Sequence, residues 1–246
     1  MTSCGLERAS RRGVPDRLTG AARRLLLAAV TRRARDAVRS TTAGPNRPAP
    51  RRFWWAPSAL YTAGLLVAAV LAETVAPATW RGWLDYASTD LDNLGRHPAG
   101  SLLLSAFLTE SNPVVWIGLS LVGLAGPARR LGPIRTAALV LTAHLVGTLV
   151  SQGLLVWRLQ AGLAEQTDRF ELDVGPSYVI VAGLVAGVLV GRSWWRPLCA
   201  VGVGVLLPYL FDGLIDGQVA AVGHVVAIVV GLVGAALLTL RTPTQA

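Results

Sequence analysis

The chain has 246 residues, of which 52% are hydrophobic and 15% are charged. This balance indicates a membrane protein rather than a soluble domain. The formal net charge is +9, and all 23 basic residues are arginines. Thirteen of them precede Phe53, where no aromatic residues alternate with them. Such a segment next to an apolar run favours an anionic membrane surface as its partner and argues against nucleic acid.

Residues 1–52 are predicted to form a basic leader on the cytoplasmic side. Its part 16–38 can form an amphipathic helix, whereas 41–50, rich in Pro, Thr and Ala, resembles a disordered tail. Both alternatives stay open for the leader. It adjoins Phe53, Trp54 and Trp55, an aromatic belt typical of the inner edge of a membrane helix.

Six apolar segments predict six membrane helices in a domain spanning 53–240, followed by a short cytoplasmic tail, 241–246. The predicted helices are about 53–76, 113–126, 136–157, 176–190, 198–211 and 222–240. The polar stretch from residue 81 contains a short apolar run, 101–108, which Glu110 interrupts. We therefore expect an interfacial or re-entrant first loop between the first two helices.

The charges between these helices separate by sign. After the leader, the predicted inner segments carry arginines and no acid: Arg129, Arg130, Arg135, Arg192, Arg196 and Arg241. The predicted outer loops carry acids: Asp85, Asp90, Asp92, Glu165, Asp168, Glu171, Asp173, Asp212 and Asp216. Positive charge marks the cytoplasmic side. The predicted fold is thus an all-α, multi-pass bundle in the cell membrane, with both termini in the cytoplasm.

Two polar residues lie at matching depth in two of these helices. Ser177, after Gly175-Pro176, begins the fourth helix, and His224 begins the sixth. Both helices enter from outside, so both side chains are expected at shallow depth, where water can reach. A hydroxyl and an imidazole are a candidate nucleophile and base. Alternatively, the serine bonds a carbonyl of the preceding turn and the histidine reaches to water.

Local sequence supports a site at these positions. Pro176 suits a first helical turn, whose free N–H groups can stabilise an oxyanion. Small residues at helical spacing predict close packing of the fourth and sixth helices. They are Gly183, Gly187 and Gly191 on the fourth helix, and Ala227, Gly231 and Ala235 on the sixth.

These residues resemble the rhomboid family of intramembrane serine proteases. Gly175-Pro176-Ser177 resembles the family's Gly-x-Ser, His224-x-x-Ala227-x-x-x-Gly231 its His-x-x-Gly-x-x-x-Gly, and Arg130-Leu131-Gly132 the turn after its second helix. The resemblance covers about 53–240. It implies a six-helix rhomboid-like bundle with an outward-opening, water-filled cavity. Ser177 would be the catalytic nucleophile and His224 the general base and then acid, with no metal and no cofactor. The implied partners are transmembrane protein substrates and the lipid bilayer.

The chain also departs from the family pattern. Where the family has a His and an Asn that support the oxyanion, this chain has Asn112 and Trp116, and Tyr178 replaces the glycine after the nucleophile. Asn112 is the oxyanion candidate, because its amide can still donate one hydrogen bond, whereas Trp116 is a poor replacement. His144 is expected to be packed or bonded within its helix, at the wrong depth for the outer site. His97 is expected to be solvated.

Three functions fit these observations. The first is an intramembrane serine endopeptidase that cuts transmembrane segments near the outer face. The second is a proteolytically inactive rhomboid-like protein that binds client transmembrane helices. The third is an unrelated transporter or channel-like bundle, which is disfavoured because the helix centres carry almost no ionisable group besides His144.

Overall fold

The computed structural model describes residues 53–240. The predictions for the leader, 1–52, and for the tail, 241–246, lie outside this range. Within it the chain is all-helical with no strand, which confirms the all-α part of the predicted fold.

The described residues form nine α-helices and one short 3-10 helix. The helices are α1 (Ala56–Thr74), α2 (Pro77–Ala87), α3 (Leu91–Arg96), α4 (Pro98–Leu104), α5 (Pro113–Leu131), α6 (Pro133–Gln160), α7 (Ser177–Val190), α8 (Trp195–Leu210) and α9 (Val219–Leu240). The 3-10 helix, Gln166–Phe170, lies between α6 and α7. A helix therefore occupies each of the six predicted apolar segments, namely α1 and α5 to α9.

Four of these helices, α1, α5, α6 and α9, are long and apolar enough to cross a membrane. With 14 and 16 residues, α7 and α8 are apolar but shorter. An apolar helix of 10–14 residues is more typical of a buried core element. Helix α7 fits that description, since each residue from Ser177 to Gly187 is buried.

Proline and glycine explain several helix boundaries. A proline occupies the first or second position of α1, α2, α4, α5 and α6, where its missing N–H group is not needed. Gly132, between α5 and α6, has φ +90°, a conformation that L side chains rarely adopt. The connection left between the predicted helices 113–126 and 136–157 was too long, because α5 continues through Pro127 to Leu131 and α6 begins at Pro133.

Glycines allow α7 to approach its neighbours, although not as predicted. A Cβ atom at Gly183 would lie 2.6 Å from the carbonyl oxygen of Gly123 on α5, and Gly187 packs against Cys199 of α8. The glycines of α7 therefore face α5 and α8 rather than α9, so this part of the prediction was wrong. On α9, Gly231 does pack against Ala182 of α7, which agrees with the prediction for that helix.

The predicted first loop contains the short helices α2, α3 and α4, and hydrogen bonds join it to the segment just before α7. The N–H of Thr89 donates to the carbonyl oxygen of Asp173 at 2.9 Å, and the N–H of Asp173 donates to Ser88 Oγ at 3.0 Å. The N–H of Gly175 donates to the carbonyl oxygen of Ser105 at 2.9 Å. These bonds fix the backbone that leads into Ser177.

Candidate active site

Ser177 is the first residue of α7, and Pro176 precedes it as the cap. Gly175 has φ +154°, where a side chain would be strained, so glycine suits the sharp entry into the helix. The first intrahelical bond at this end runs from the N–H of Ile180 to the carbonyl oxygen of Pro176. The N–H groups of the preceding residues in this turn are therefore free of the helix ladder.

His224 lies opposite this turn. Its Nε2 is 2.9 Å from Ser177 Oγ, although 47 residues separate the two in sequence. The predicted proximity of the pair is confirmed. Helix α9 begins at Val219, about three residues earlier than expected, so His224 lies in its second turn rather than its first.

A backbone carbonyl determines the tautomer of this imidazole. His224 Nδ1 is 3.0 Å from the carbonyl oxygen of Leu210. A carbonyl oxygen can only accept, so Nδ1 must carry the proton. In the neutral ring Nε2 is then an acceptor, and the Ser177 hydroxyl donates to it. This is the arrangement that a serine nucleophile needs from its base.

Sequence reasoning missed the part played by Leu210. Asp212 and Asp216 lie in the loop before His224 and offered no evident acidic third member, and in the described residues neither forms a hydrogen bond or an ion pair with the ring. Leu210 is the last residue of α8, where carbonyl groups lack intrahelical partners. The sequence predicted that this helix ends near 211. That end was the available signal for a backbone carbonyl oxygen without an intrahelical partner at this depth.

The pair is buried in this conformation. Ser177 is 5% exposed and His224 2%, so the expectation that both are open to water is not met. The rings of Tyr178 and Tyr209 lie 5.2 and 5.3 Å from the imidazole. A substrate can therefore reach the Ser177 hydroxyl only if Tyr178, Tyr209 or the adjoining loops move.

The oxyanion candidate Asn112 and the nearby Trp116 form no hydrogen bond with the pair in the described residues. Asn112 is exposed and caps α5, since its Oδ1 accepts from the N–H of Val114 at 2.9 Å. In the described residues no hydrogen bond joins Asn112 to Ser177 or His224. Trp116 is buried, and its indole N–H donates to Ser111 Oγ at 2.6 Å. Its ring meets that of Tyr209 edge to face at 5.6 Å.

The other two described histidines bond to the first loop. The Nε2 of His144 is 2.8 Å from the carbonyl oxygen of Leu102, so His144 is packed as expected, but it bonds the loop rather than its own helix. Its ring lies 6.0 Å from that of Tyr178, which places it closer to the pair than predicted. His97 is stacked on Tyr86 at 4.3 Å rather than freely solvated.

Asp173 is the notable ionisable group in the segment before α7. Burial raises the pKa of its carboxyl to about 6, although hydrogen bonds from Thr89 and Gln152 oppose the shift. Thr89 Oγ1 donates to Asp173 Oδ2 at 2.9 Å. This carboxyl therefore changes charge near neutral pH, four residues before the candidate nucleophile.

A cavity of about 240 Å³ lies between α1, the first loop and the start of α5. Trp116 and Phe107 form part of its wall, and Glu73 and Glu110 contribute carboxylates. Neither Ser177 nor His224 lines it. The cavity therefore adjoins Trp116 rather than the nucleophile and base.

Fold and site together define an all-helical membrane protein that buries a hydrogen-bonded serine–histidine pair between two of its helices. A family model described as "Rhomboid-like protein" matches residues 47–244, which is most of the chain. The chain therefore belongs to the rhomboid-like family. No match was found among curated proteins or among solved structures. Membership of this family sets aside the interpretation as an unrelated transporter.

Proposed function

We propose that the protein is an intramembrane serine endopeptidase that cleaves transmembrane segments of other proteins near the outer membrane face. The observation that carries this proposal is the chain of two hydrogen bonds from Ser177 Oγ through His224 to the Leu210 carbonyl. A serine bonded only to its own helix, the alternative weighed from sequence, would have no base at 2.9 Å.

The proposed reaction follows from the direction of these bonds. Ser177 Oγ attacks the scissile carbonyl carbon while its proton passes to His224 Nε2. The resulting imidazolium keeps its Nδ1–H bond to Leu210. Nε2 then protonates the leaving amine, the C–N bond breaks, and an acyl-enzyme ester remains. Water attacks the ester, gives a proton to Nε2, and that proton returns to Oγ as the product carboxylic acid leaves.

The tetrahedral intermediate carries an oxyanion that needs donors. The proposed donors are the free backbone N–H groups of the first turn of α7 and the side-chain amide of Asn112. Because Asn112 uses its carbonyl oxygen for the helix cap, its NH₂ group remains without a hydrogen-bond partner in the described residues. That group is available to a substrate that enters beside the start of α5.

The proposal includes six spans with both termini in the cytoplasm. Supporting it, the junctions between α5 and α6 and between α7 and α8, together with the adjoining helix ends, carry Arg129, Arg130, Arg135, Arg192 and Arg196 without any acid. Single cysteines introduced at Asp168 and Arg192 test the arrangement in whole cells with an impermeant thiol reagent. Position 168 is expected to react and position 192 to be protected; the opposite pattern would overturn the orientation.

Labelling by a serine-reactive fluorophosphonate tests the nucleophile directly. The purified wild-type protein is expected to be labelled, and Ser177→Ala to lose the label. Ser120→Ala is the matched control, because Ser120 is also buried in a helix but bonds Thr62 Oγ1 at 2.7 Å instead of a histidine. Labelling that persists in Ser177→Ala would refute the assignment of the nucleophile.

A second candidate function is the binding of client transmembrane helices without proteolysis. The burial of the pair and the indole of Trp116 in place of a carboxamide favour it. Under this alternative, transmembrane clients co-purify equally with wild type and with Ser177→Ala, and no cleavage product forms. Under the protease proposal, Ser177→Ala retains more intact substrate than wild type.

A further inference from the structure

A second cavity, of about 450 Å³, opens at the other end of the bundle, where α5, α7 and α9 end and α8 begins. Ser177 begins α7 and the cavity lies at the other end of that helix, about 20 Å away along the helix axis. Three arginines line this cavity: Arg130, Arg192 and Arg196. Its remaining walls are mostly apolar, formed by Leu189, Val190, Gly191, Ala236, Thr239 and Leu240.

The three guanidinium groups have no carboxylate partner in the described part of the chain. The ion pairs found there involve only Arg81 and Arg96, both near the opposite end. Arg196 Nε donates to the carbonyl oxygen of Val188 at 2.9 Å, which orients this side chain at the end of α7. Its two terminal nitrogens make no further hydrogen bond among residues 53–240. Among residues 53–240 the cavity is therefore a positive site without a carboxylate partner, and one of its three exposed arginines is oriented by a hydrogen bond.

Aromatic rings of the kind found at the depth of lipid head groups lie next to this site. Trp194 stacks on Trp195 at 4.1 Å, and Trp54 meets Trp195 edge to face at 6.3 Å. Arg129 lies over the ring of Trp54 at 4.7 Å. Tryptophan is enriched where membrane meets water. Arg196 directly follows this cluster in sequence, so the arginines of the cavity lie where phospholipid phosphates are found.

We propose that this cavity binds the phosphate of an anionic phospholipid from the adjacent leaflet. Guanidinium groups match phosphate oxygens in pairs, and three of them favour a headgroup with net negative charge. The apolar wall favours a lipid over a free anion. Leu189 and Leu240 are exposed on it, and in a bilayer they can contact the acyl chains of the same molecule. This proposal is independent of proteolysis.

The test measures thermal unfolding of the full-length protein in a zwitterionic detergent, titrated with short-chain phosphatidylglycerol. A saturable rise in Tm is expected, and phosphatidylcholine of the same chain length should give a much smaller one. Arg130→Gln, Arg192→Gln and Arg196→Gln should each weaken the apparent affinity about tenfold, because each loses charge-assisted hydrogen bonds. Arg129→Gln is the matched control. It removes the same charge one residue away, does not line the cavity, and should change the affinity less than about twofold.

Other outcomes would overturn the proposal. Equal stabilisation by inorganic phosphate would show a free-anion site instead of a lipid site. Equal effects of the two lipids would remove the headgroup preference. If Arg129→Gln lost as much lipid affinity as Arg130→Gln, the lipid would be bound by diffuse surface charge and not by the cavity. The Tm of each variant without lipid reports its folding, and if Arg196→Gln unfolds for want of its bond to Val188, the other two variants still decide.

Discussion

The two sides of Ser177 differ in how completely their hydrogen bonds are formed. The base side holds His224, and the oxyanion side holds Asn112 and Trp116. On the base side both nitrogens of His224 have partners, and the ring is held between Tyr178 and Tyr209. On the oxyanion side, Asn112 is exposed and occupied as a helix cap, and Trp116 is bonded to Ser111. Neither Asn112 nor Trp116 forms a hydrogen bond with the Ser177 hydroxyl in the described residues.

Under the proposed function, the difference indicates which part of the chemistry the resting fold would supply. Proton transfer by a positioned base contributes about 10² to 10⁴ in rate, and one oxyanion donor contributes about 10² to 10³. Both are substantial, so a site with a complete base side and a weak oxyanion side should cleave slowly. The predictions below break each side in turn, from the largest expected effect on cleavage to the smallest.

Breaking the base side should have the largest effect. Ser177→Ala and His224→Ala are each expected to reduce cleavage of a model transmembrane substrate at least about 10³-fold, because one removes the attacking atom and the other its proton acceptor. Gel-based detection of the two fragments in proteoliposomes measures this. Ser120→Ala should cleave at the wild-type rate. Cleavage that survives in both variants would show that the pair is structural.

Repairing the oxyanion side should raise the rate. Trp116→Asn places a carboxamide where the resembled family has one, and cleavage per folded molecule is expected to rise about tenfold. Trp116 is 4% exposed, so the substitution also leaves a void and lowers Tm. Trp116→Leu is the control for that void: it should lower Tm without raising the rate. A rate increase shared by both variants would point to improved access instead of an added donor.

Weakening the oxyanion side should cost less than breaking the base side. Asn112→Ala and Asn112→Asp are each expected to slow cleavage about tenfold, because both remove the amide donor. They differ in stability. Aspartate keeps an oxygen for the N–H of Val114, whereas alanine loses the cap, at a cost of about 1 kcal/mol in unfolding free energy. Wild-type cleavage by Asn112→Asp would show that Asn112 is a cap only.

Sequence alone could predict the base side better than its surroundings. Ser177 and His224 occupy fixed positions along apolar helices, so their shared depth follows from periodicity and loop charges. The Leu210 carbonyl could not be assigned in this way, because its role depends on where α8 ends relative to α9 in space. The burial of the pair could not be predicted either, since it depends on how the rings of Tyr178 and Tyr209 are oriented.

The helix contacts show a similar limit. The spacing of Gly183 and Gly187 predicted one closely packed face on α7 but carried no information on which neighbour would use it. Because α7 is buried on all sides, each of its faces meets another helix, and the glycines meet α5 and α8. Periodicity identifies a face, whereas its partner is decided by the packing of the whole bundle.

The smallest effect on cleavage is expected at Asp173. This residue joins the first loop to the segment that carries Ser177, so it holds the base side and the oxyanion side of the site alike. Its pKa is raised from 3.8 to about 6 in the folded protein. The folded state therefore binds this proton more tightly than the unfolded state. The stabilisation from Asp173 is full below about pH 4 and is lost as the pH rises through about 6, by up to about 3 kcal/mol.

Asp173→Asn keeps an acceptor for Thr89 and cannot ionise, so its Tm should exceed that of wild type at pH 7.5 and equal it near pH 4. Asp212→Asn, the same substitution at an exposed position, is the matched control. Cleavage by Asp173→Asn at pH 7.5 should stay within about twofold of wild type, because no atom of Asp173 is hydrogen-bonded to the pair. If Asp173→Asn is instead less stable than wild type at pH 7.5, the charged carboxylate is what holds the loop in place.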